Sequence, residues 1–344
     1  MKKVRELLAR VIDKVRPPIV IVLGSPWPVT QLVGLLSPAE IVCYQMDLFV
    51  AERLREKLAE TGCSVEVSVS ADLWDLPARF ETAILPAAAH SDRALKIDML
   101  EQGFHVLVEG GRFLTLSEYE RDTEFAPWHK KIYGRCGETP PSPEGRAFWS
   151  DKHGQRARRR HSIRFHARSP AGMSMTFESW PGTFSYGRMD SGSRAMIEIV
   201  AAQPGERLLD MGCGNGTVGC LLAPLVAPSG EVVFVDSHAR AVALTEVNAR
   251  ANKLTDYRVL ASAELSGPGL EAASFDRILA NPPYYANSEV ARFFIHRAYE
   301  LLKPGGHFYL VTKMPVQTIP EVVDLFSQVE SVENRGYTVV VARR

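Results

Sequence analysis

The chain repeats itself, and that constrains its fold more than any single motif. Phe80-Glu81-Thr82-Ala83-Ile84-Leu85 has a counterpart in Phe275-Asp276-Arg277-Ile278-Leu279-Ala280, and Gly110-Gly111-Arg112-Phe113 has one in Gly305-Gly306-His307-Phe308. Both pairings need the same offset, with no gap between them; at a slightly smaller offset Gly24 falls on Gly212 and Asp47 on Asp236. Self-similarity of this kind marks a duplicated unit. Within each copy, short apolar runs (19–23, 41–47 and 65–69 in the first) alternate with helix-length amphipathic stretches such as 50–60. That alternation predicts an α/β fold built twice, each copy a mostly parallel sheet with helices on both faces. A helix is expected over 2–16, ending before Pro17-Pro18, and another over 194–202. Residues 307–312 and 337–341 are expected to close the second sheet as an antiparallel hairpin.

The copies differ where chemistry would sit. In the second, an apolar strand ends at Asp210 and breaks into Gly212-Cys213-Gly214-Asn215-Gly216 before a small-residue helix from Thr217. Glycines there let the backbone turn sharply and approach a ligand, with the N–H groups of the next helix facing the gap. Alone, the loop suits a dinucleotide, a flavin, S-adenosylmethionine or only a tight turn. The next strand ends in Asp236, an acid about 20 residues past the loop, which suits a ribose diol. A further strand runs into Asn281-Pro282-Pro283-Tyr284. Its prolines fix an extended, donor-poor backbone. The Asn281 amide oxygen and the Pro282 carbonyl can accept from an exocyclic NH2 while Tyr284 stacks on the ring carrying it, a device a nicotinamide dehydrogenase has no use for. In the first copy Pro26-Trp27-Pro28 replaces the glycines and Pro86-Ala87-Ala88-Ala89 replaces the tetrapeptide, so that copy reads as degenerate.

With these motifs the sequence resembles the class I S-adenosylmethionine-dependent methyltransferases. Within them it resembles the bacterial ribosomal RNA guanine-N2 methyltransferases of the small-subunit methyltransferase C type. Residues 179–341 carry Ser179-Trp180-Pro181-Gly182-Thr183-Phe184-Ser185, Asp190-Ser191-Gly192-Ser193, Asp210-Met211-Gly212-Cys213-Gly214, Asp236 and Asn281-Pro282-Pro283-Tyr284 in the family's order. The family often has Phe where Tyr284 stands. The resemblance implies two tandem Rossmann-like methyltransferase domains, a catalytic one over 179–344 and a degenerate one over 1–135 for substrate recognition or stability. It implies S-adenosyl-L-methionine as cofactor, held by Asp210, Gly212, Cys213, Gly214, Gly216, Asp236, Ser237, Ala263 and Glu264; the usual Asp or Asn is missing at Ala263. Asn281, Pro282, Pro283 and Tyr284 are the implied catalytic residues. The implied partner is ribosomal RNA or a ribosomal subunit. The same tetrapeptide also serves glutamine methylation of release factors and adenine-N6 methylation, and a non-catalytic RNA-binding protein that keeps only the fold is a third reading.

Residues 136–178 are expected to be a basic, proline-containing linker. No acid occurs between Asp151 and Glu178, while Arg156, Arg158, Arg159, Arg160 and Arg164 fall inside that interval. Unopposed arginines are what RNA phosphate binding requires, so these five are the candidate RNA contacts. Formal net charge is zero, so such contacts must come from local charge. The five cysteines are scattered without metal-ligand spacing, no signal peptide opens the chain and no apolar run reaches bilayer length. A cytoplasmic enzyme with neither metal nor membrane is the expectation.

Overall fold

The computed structural model describes residues 3–62, 64–88, 92–282 and 287–344. The chain separates into two compact units, Met1–His161 and Ser162–Arg344. The first runs α1 (Lys3–Ala9), β1 (Ile19–Val22), α2 (Pro26–Leu36), β2 (Ile41–Gln45), α3 (Leu48–Glu60), β3 (Glu66–Val69), β4 (Phe80–Ala87), α4 (Arg93–Val106), β5 (Leu107–Ser117), α5 (Phe125–Tyr133), β6 (Gly137–Glu138) and β7 (Arg146–Asp151). Its seven strands lie in the order β3-β2-β1-β4-β5-β7-β6.

The second unit opens with an antiparallel pair, β8 (Ile163–Arg168) and β9 (Ser174–Ser179). It continues α6 (Ser191–Ile197), β10 (Arg207–Met211), α7 (Thr217–Val226), β11 (Glu231–Asp236), α8 (Ala239–Ala251), β12 (Tyr257–Ala261), β13 (Phe275–Ala280), α9 (Asn287–Leu301), β14 (Leu302–Thr312), α10 (Pro315–Val323), β15 (Gln328–Asn334) and β16 (Tyr337–Arg343). Its sheet order, β12-β11-β10-β13-β14-β16-β15, repeats that of the first unit strand for strand. In both, the central strands pair in parallel and the strand beyond β5 or β14 is antiparallel. All four residues of β1 are buried, as a parallel strand covered on both faces requires.

The duplication reaches the level of register. Phe80 pairs with Leu107 and the register then slips to pair Thr82 with Arg112; Phe275 pairs with Leu302 and slips to pair Arg277 with His307. The glycine pairs seen in the sequence sit in this slip. A Cβ on Gly111 would lie 3.0 Å from the Phe80 carbonyl oxygen, and one on Gly306 would lie 3.1 Å from that of Phe275.

Several expectations change. The first helix is shorter, with a single 3₁₀ turn over Ile12–Lys14 before the prolines. The 194–202 helix starts earlier, because Asp190 caps it by accepting from Ser193 N at 2.8 Å, and it ends at Ile197. The last strand pair is not a hairpin. β15 intervenes in sequence, turns back through Arg335-Gly336, both at positive φ, and β16 inserts between it and β14.

The linker expected over 136–178 dissolves almost entirely. The proline-rich stretch is a tight turn between β6 and β7, closed by Ser142–Gly145 hydrogen bonds, and β7 pairs antiparallel with β5. At its other end β9 is held by the second unit, with Asn248 Nδ2 donating to the Glu178 carbonyl at 2.9 Å. Proline and glycine there signal strand turns, which composition does not separate from linkers. Among the described residues no helix is long and apolar enough to cross a membrane.

Candidate active site

The glycine loop follows β10 at the carboxyl edge of the second sheet, and all three of its glycines need their residue type. Gly212, Gly214 and Gly216 have φ of 72°, 58° and 74°, the left-handed region that side chains avoid. Gly216 is also crowded, since a Cβ there would lie 2.7 Å from the Thr245 methyl carbon. Asn215 fastens the turn to the helix, its Oδ1 accepting from Thr217 Oγ1 at 2.6 Å.

Two carboxylates anchor the loop. Asp236, at the end of β11, accepts from Gly214 N with one oxygen and from His238 N with the other, both at 2.8 Å. Asp210 is buried beneath the loop and accepts from Gly219 N at 2.8 Å, in the first turn of α7. Burial pushes its carboxyl up to about 7, the nearby Asp236 charge adding to the effect and the Gly219 N–H opposing it. Cys213 is a buried, small residue of the loop whose thiol burial pushes far up, which fits packing and not reactivity.

Asn281 leaves the end of β13 facing the same space. One cavity is lined by Asp210, Gly212, Cys213, Gly214 and Asn281 together with Asp190 and Ser193. The Asn281 amide nitrogen donates to Asp190 Oδ2 at 2.8 Å and to Ser193 Oγ at 2.9 Å. Pro282 is buried behind it; Pro283 and Tyr284 lie outside the described residues. Gly216, Asp236, Ser237, Ala263 and Glu264 do not line this cavity. Ser237 follows Asp236 directly, and Ala263 and Glu264 lie in the bend after β12, whose end is tied to Asp236 by Ser262 N donating to its carbonyl at 3.0 Å.

Other residues shape the site without having been given a role there from the sequence. Phe184 forms a wall of the cavity and is 46% exposed. Its loop is pinned from beneath by Arg240, which is fully buried on α8 and donates to the Pro181 carbonyl at 2.6 Å. An arginine in an amphipathic helix reads as a solvated face, so no local signal marks it.

The arginines are not all unopposed. Arg156 pairs with the buried Glu101 at 2.7 Å, and Arg160 is bidentate on the buried Asp72. Arg158 donates to the Trp74 carbonyl at 3.3 Å, and the Arg158 and Arg160 guanidinium groups lie 5.6 and 5.4 Å from the Trp74 ring centroid. Burial raises the Glu101 carboxyl, but His161 and Arg156 beside it outweigh that and hold it below its usual range. Arg164 belongs to the second unit and pairs with Glu178 at 3.0 Å. Arg159 is exposed. The neutralising acids come from α4 and from the turn after β3, far away in sequence, which is why counting local charge missed them. Cys43, Cys136, Cys213 and Cys220 are free thiols, and among the described residues no cluster suited to a metal ion occurs.

The first unit closes the equivalent space. A Cβ on Gly24 would lie 2.8 Å from the ring of Pro86, and Gln45 Nε2 donates to the Gly24 carbonyl at 3.0 Å. Pro26 and Pro28 open α2 without N–H groups, where α7 offers Gly219 N to Asp210. Asp47 accepts from Phe49 N at 2.8 Å and Val50 N at 3.2 Å, capping its own helix where Asp236 reaches the glycine loop.

Comparison with known proteins points the same way. A family model, the methyltransferase small domain, matches residues 174–341. The ribosomal RNA small subunit methyltransferase C of Pseudomonas syringae pv. syringae is 30% identical over 177 residues, which cover 49% of this chain and 51% of that protein. The uncharacterized protein YbxB of Bacillus subtilis is 31% identical over 174 residues, covering 49% of this chain and 86% of YbxB. The chain thus spans about half the length of the methyltransferase C relatives it matches. In fold, the T. Thermophilus 16S rRNA N2 methyltransferase in complex with AdoMet and guanosine matches with a TM-score of 0.77 at 23% identity, over 99% of this chain and 91% of that one.

Proposed function

Because the chain belongs to the class I methyltransferases of the small-domain family, we propose that it transfers a methyl group from S-adenosyl-L-methionine to the exocyclic N2 amine of a guanine in ribosomal RNA, the small-subunit 16S RNA in particular. The observation that carries this is the meeting of Asn281 with the glycine loop around one cavity. The relatives named as small subunit methyltransferase C support the substrate.

The residues present fit the cofactor. Gly212 and Gly214 line the cavity with backbone at positive φ that a side chain would strain, and Asp236 is the acid suited to the ribose hydroxyls. Asp210 is a buried acid suited to an ammonium group; a positive charge there returns it to its ionised form. Ser237 flanks the ribose, and Ala263 and Glu264 border the adenine. When bound, the cofactor supplies an electrophilic methyl group on a sulfonium.

Everything else falls to the chain. The target base leaves its helix to enter the site. The Asn281 amide oxygen and the Pro282 carbonyl accept from the guanine N2 amine and turn its lone pair toward the methyl, with Pro283 fixing the backbone and Tyr284 stacked on the ring. Alignment supplies most of the rate, and no strong base is required. The second unit performs this chemistry and the first holds RNA. Within the basic stretch, exposed Arg158, Arg159 and Arg164 make the phosphate contacts, while Arg156 and Arg160 hold the stretch on the first unit.

Mapping methylated bases in ribosomal RNA from cells with and without the gene tests this reading. One N2-methylguanine should disappear from 16S RNA. Intact guanine methylation, with a methyl group missing from a release-factor glutamine or an adenine, would replace it.

A further inference from the structure

Asn281 must present oxygen, not nitrogen, to an amine, and an amide can turn either way. Two residues fix the choice. Asp190 Oδ2 accepts from Asn281 Nδ2 at 2.8 Å, and Ser193 Oγ accepts from the same nitrogen at 2.9 Å. A carboxylate only accepts, so a turned amide would set oxygen against oxygen. With the nitrogen held on the side of α6, the amide oxygen is directed to the opposite side. The carboxylate charge also draws the amide N–H and raises electron density on that oxygen, strengthening it as an acceptor.

The bracket is built into the fold. Asp190 is the N-cap of α6, and the oxygen that accepts from Ser193 N at 2.8 Å is the one that accepts from Asn281. The cap therefore places Ser193 one turn on, with its hydroxyl beside the same amide, and Ser193 is only 8% exposed. We propose that Asp190 and Ser193 are positioning residues that fix and polarise the Asn281 amide with its oxygen toward the methyl-accepting amine. This rests on the reading of Asn281 given above and assigns the Asp-x-Gly-Ser run a function in the reaction.

Asp190→Asn tests it. Asparagine still caps the helix, but its own NH2 lets Asn281 turn. Turnover on small-subunit ribosomal RNA should fall on the order of 10- to 100-fold, the loss expected when a reacting group is misdirected. S-adenosylmethionine affinity by calorimetry and the thermal midpoint should stay near those of the wild type, which a general structural defect would not allow. Ser193→Ala, a second variant that leaves the carboxylate in place, should lower kcat several-fold with KM for RNA little changed. Asn281→Ala should lose most turnover with cofactor affinity within a few fold, and adding Asp190→Asn to it should cost nothing more, because one function has already been removed. Wild-type turnover in Asp190→Asn and Ser193→Ala, with Asn281→Ala inactive, would overturn the positioning alone. Full turnover in Asn281→Ala would overturn the reading of Asn281 as well.

Discussion

At the residue scale, the site is governed by where each carboxylate finds its partners. Asp210 shows this through its protonation. Its folded carboxyl is raised to about 7 by burial, so it holds a proton more tightly in the cofactor-free fold than in the unfolded chain. The stabilisation that follows is complete below the unfolded value of 3.8 and is lost as pH rises through about 7. Cofactor binding has the opposite sign, since an ammonium group pairs with the ionised form. Affinity for S-adenosylmethionine should therefore fall up to about tenfold per pH unit below the folded pKa, measured by calorimetry between about pH 5.5 and 7.5. Asp210→Asn should bind more weakly and remove that slope; a slope unchanged in the variant would assign it to another group. Asp210 and Asp236 were legible in the sequence because each lies at the carboxyl end of a strand. Their use of Gly219 N and Gly214 N was not, because a strand-end acid looks the same whether it faces a ligand or a backbone.

At the element scale, the sheets and the glycine loop were readable because parallel strands leave continuous apolar runs and positive φ demands glycine. The basic stretch was misread for an equally physical reason: charge is neutralised in space, and Glu101 and Asp72 are invisible from residue 156 or 160. The two kinds of arginine in it should separate by experiment. Arg160→Ala removes the cation from the buried Asp72, which keeps Gln102 Nε2 as a donor, and should cost about 2–3 kcal/mol of first-unit stability in denaturant titrations. Arg159→Ala should leave stability within about 0.5 kcal/mol. Its effect belongs in RNA binding, where the dependence of log affinity on log salt should flatten by about one. Equal salt slopes for wild type and Arg159→Ala would remove Arg159 from the RNA contacts.

At the scale of the whole molecule, two sheets of one order differ at their strand ends, and among the described residues the second carries the cavity shared by the glycine loop and Asn281. Pro86 meets Gly24 in the first unit at the positions that Asn281 and Gly212 occupy in the second, where both line the cavity. Calorimetry should accordingly find one S-adenosylmethionine per chain, and a stoichiometry of two would refute that. The unit boundary makes a second prediction. A fragment over 162–344 keeps the hairpin that Asn248 and Asn252 clamp through Glu178 and Thr176. One cut at 179 loses it, and should melt several degrees lower by circular dichroism. The duplication has a use beyond the reaction, because the first copy serves as an internal control on the second. Released from chemistry, it still preserves the register slip beside Gly111 and the order of its seven strands, so those are the scaffold's requirements. Two of the three loop glycines and the asparagine amide are what it let go. Subtracting one copy from the other thus sorts the sequence into architecture and catalysis within a single molecule.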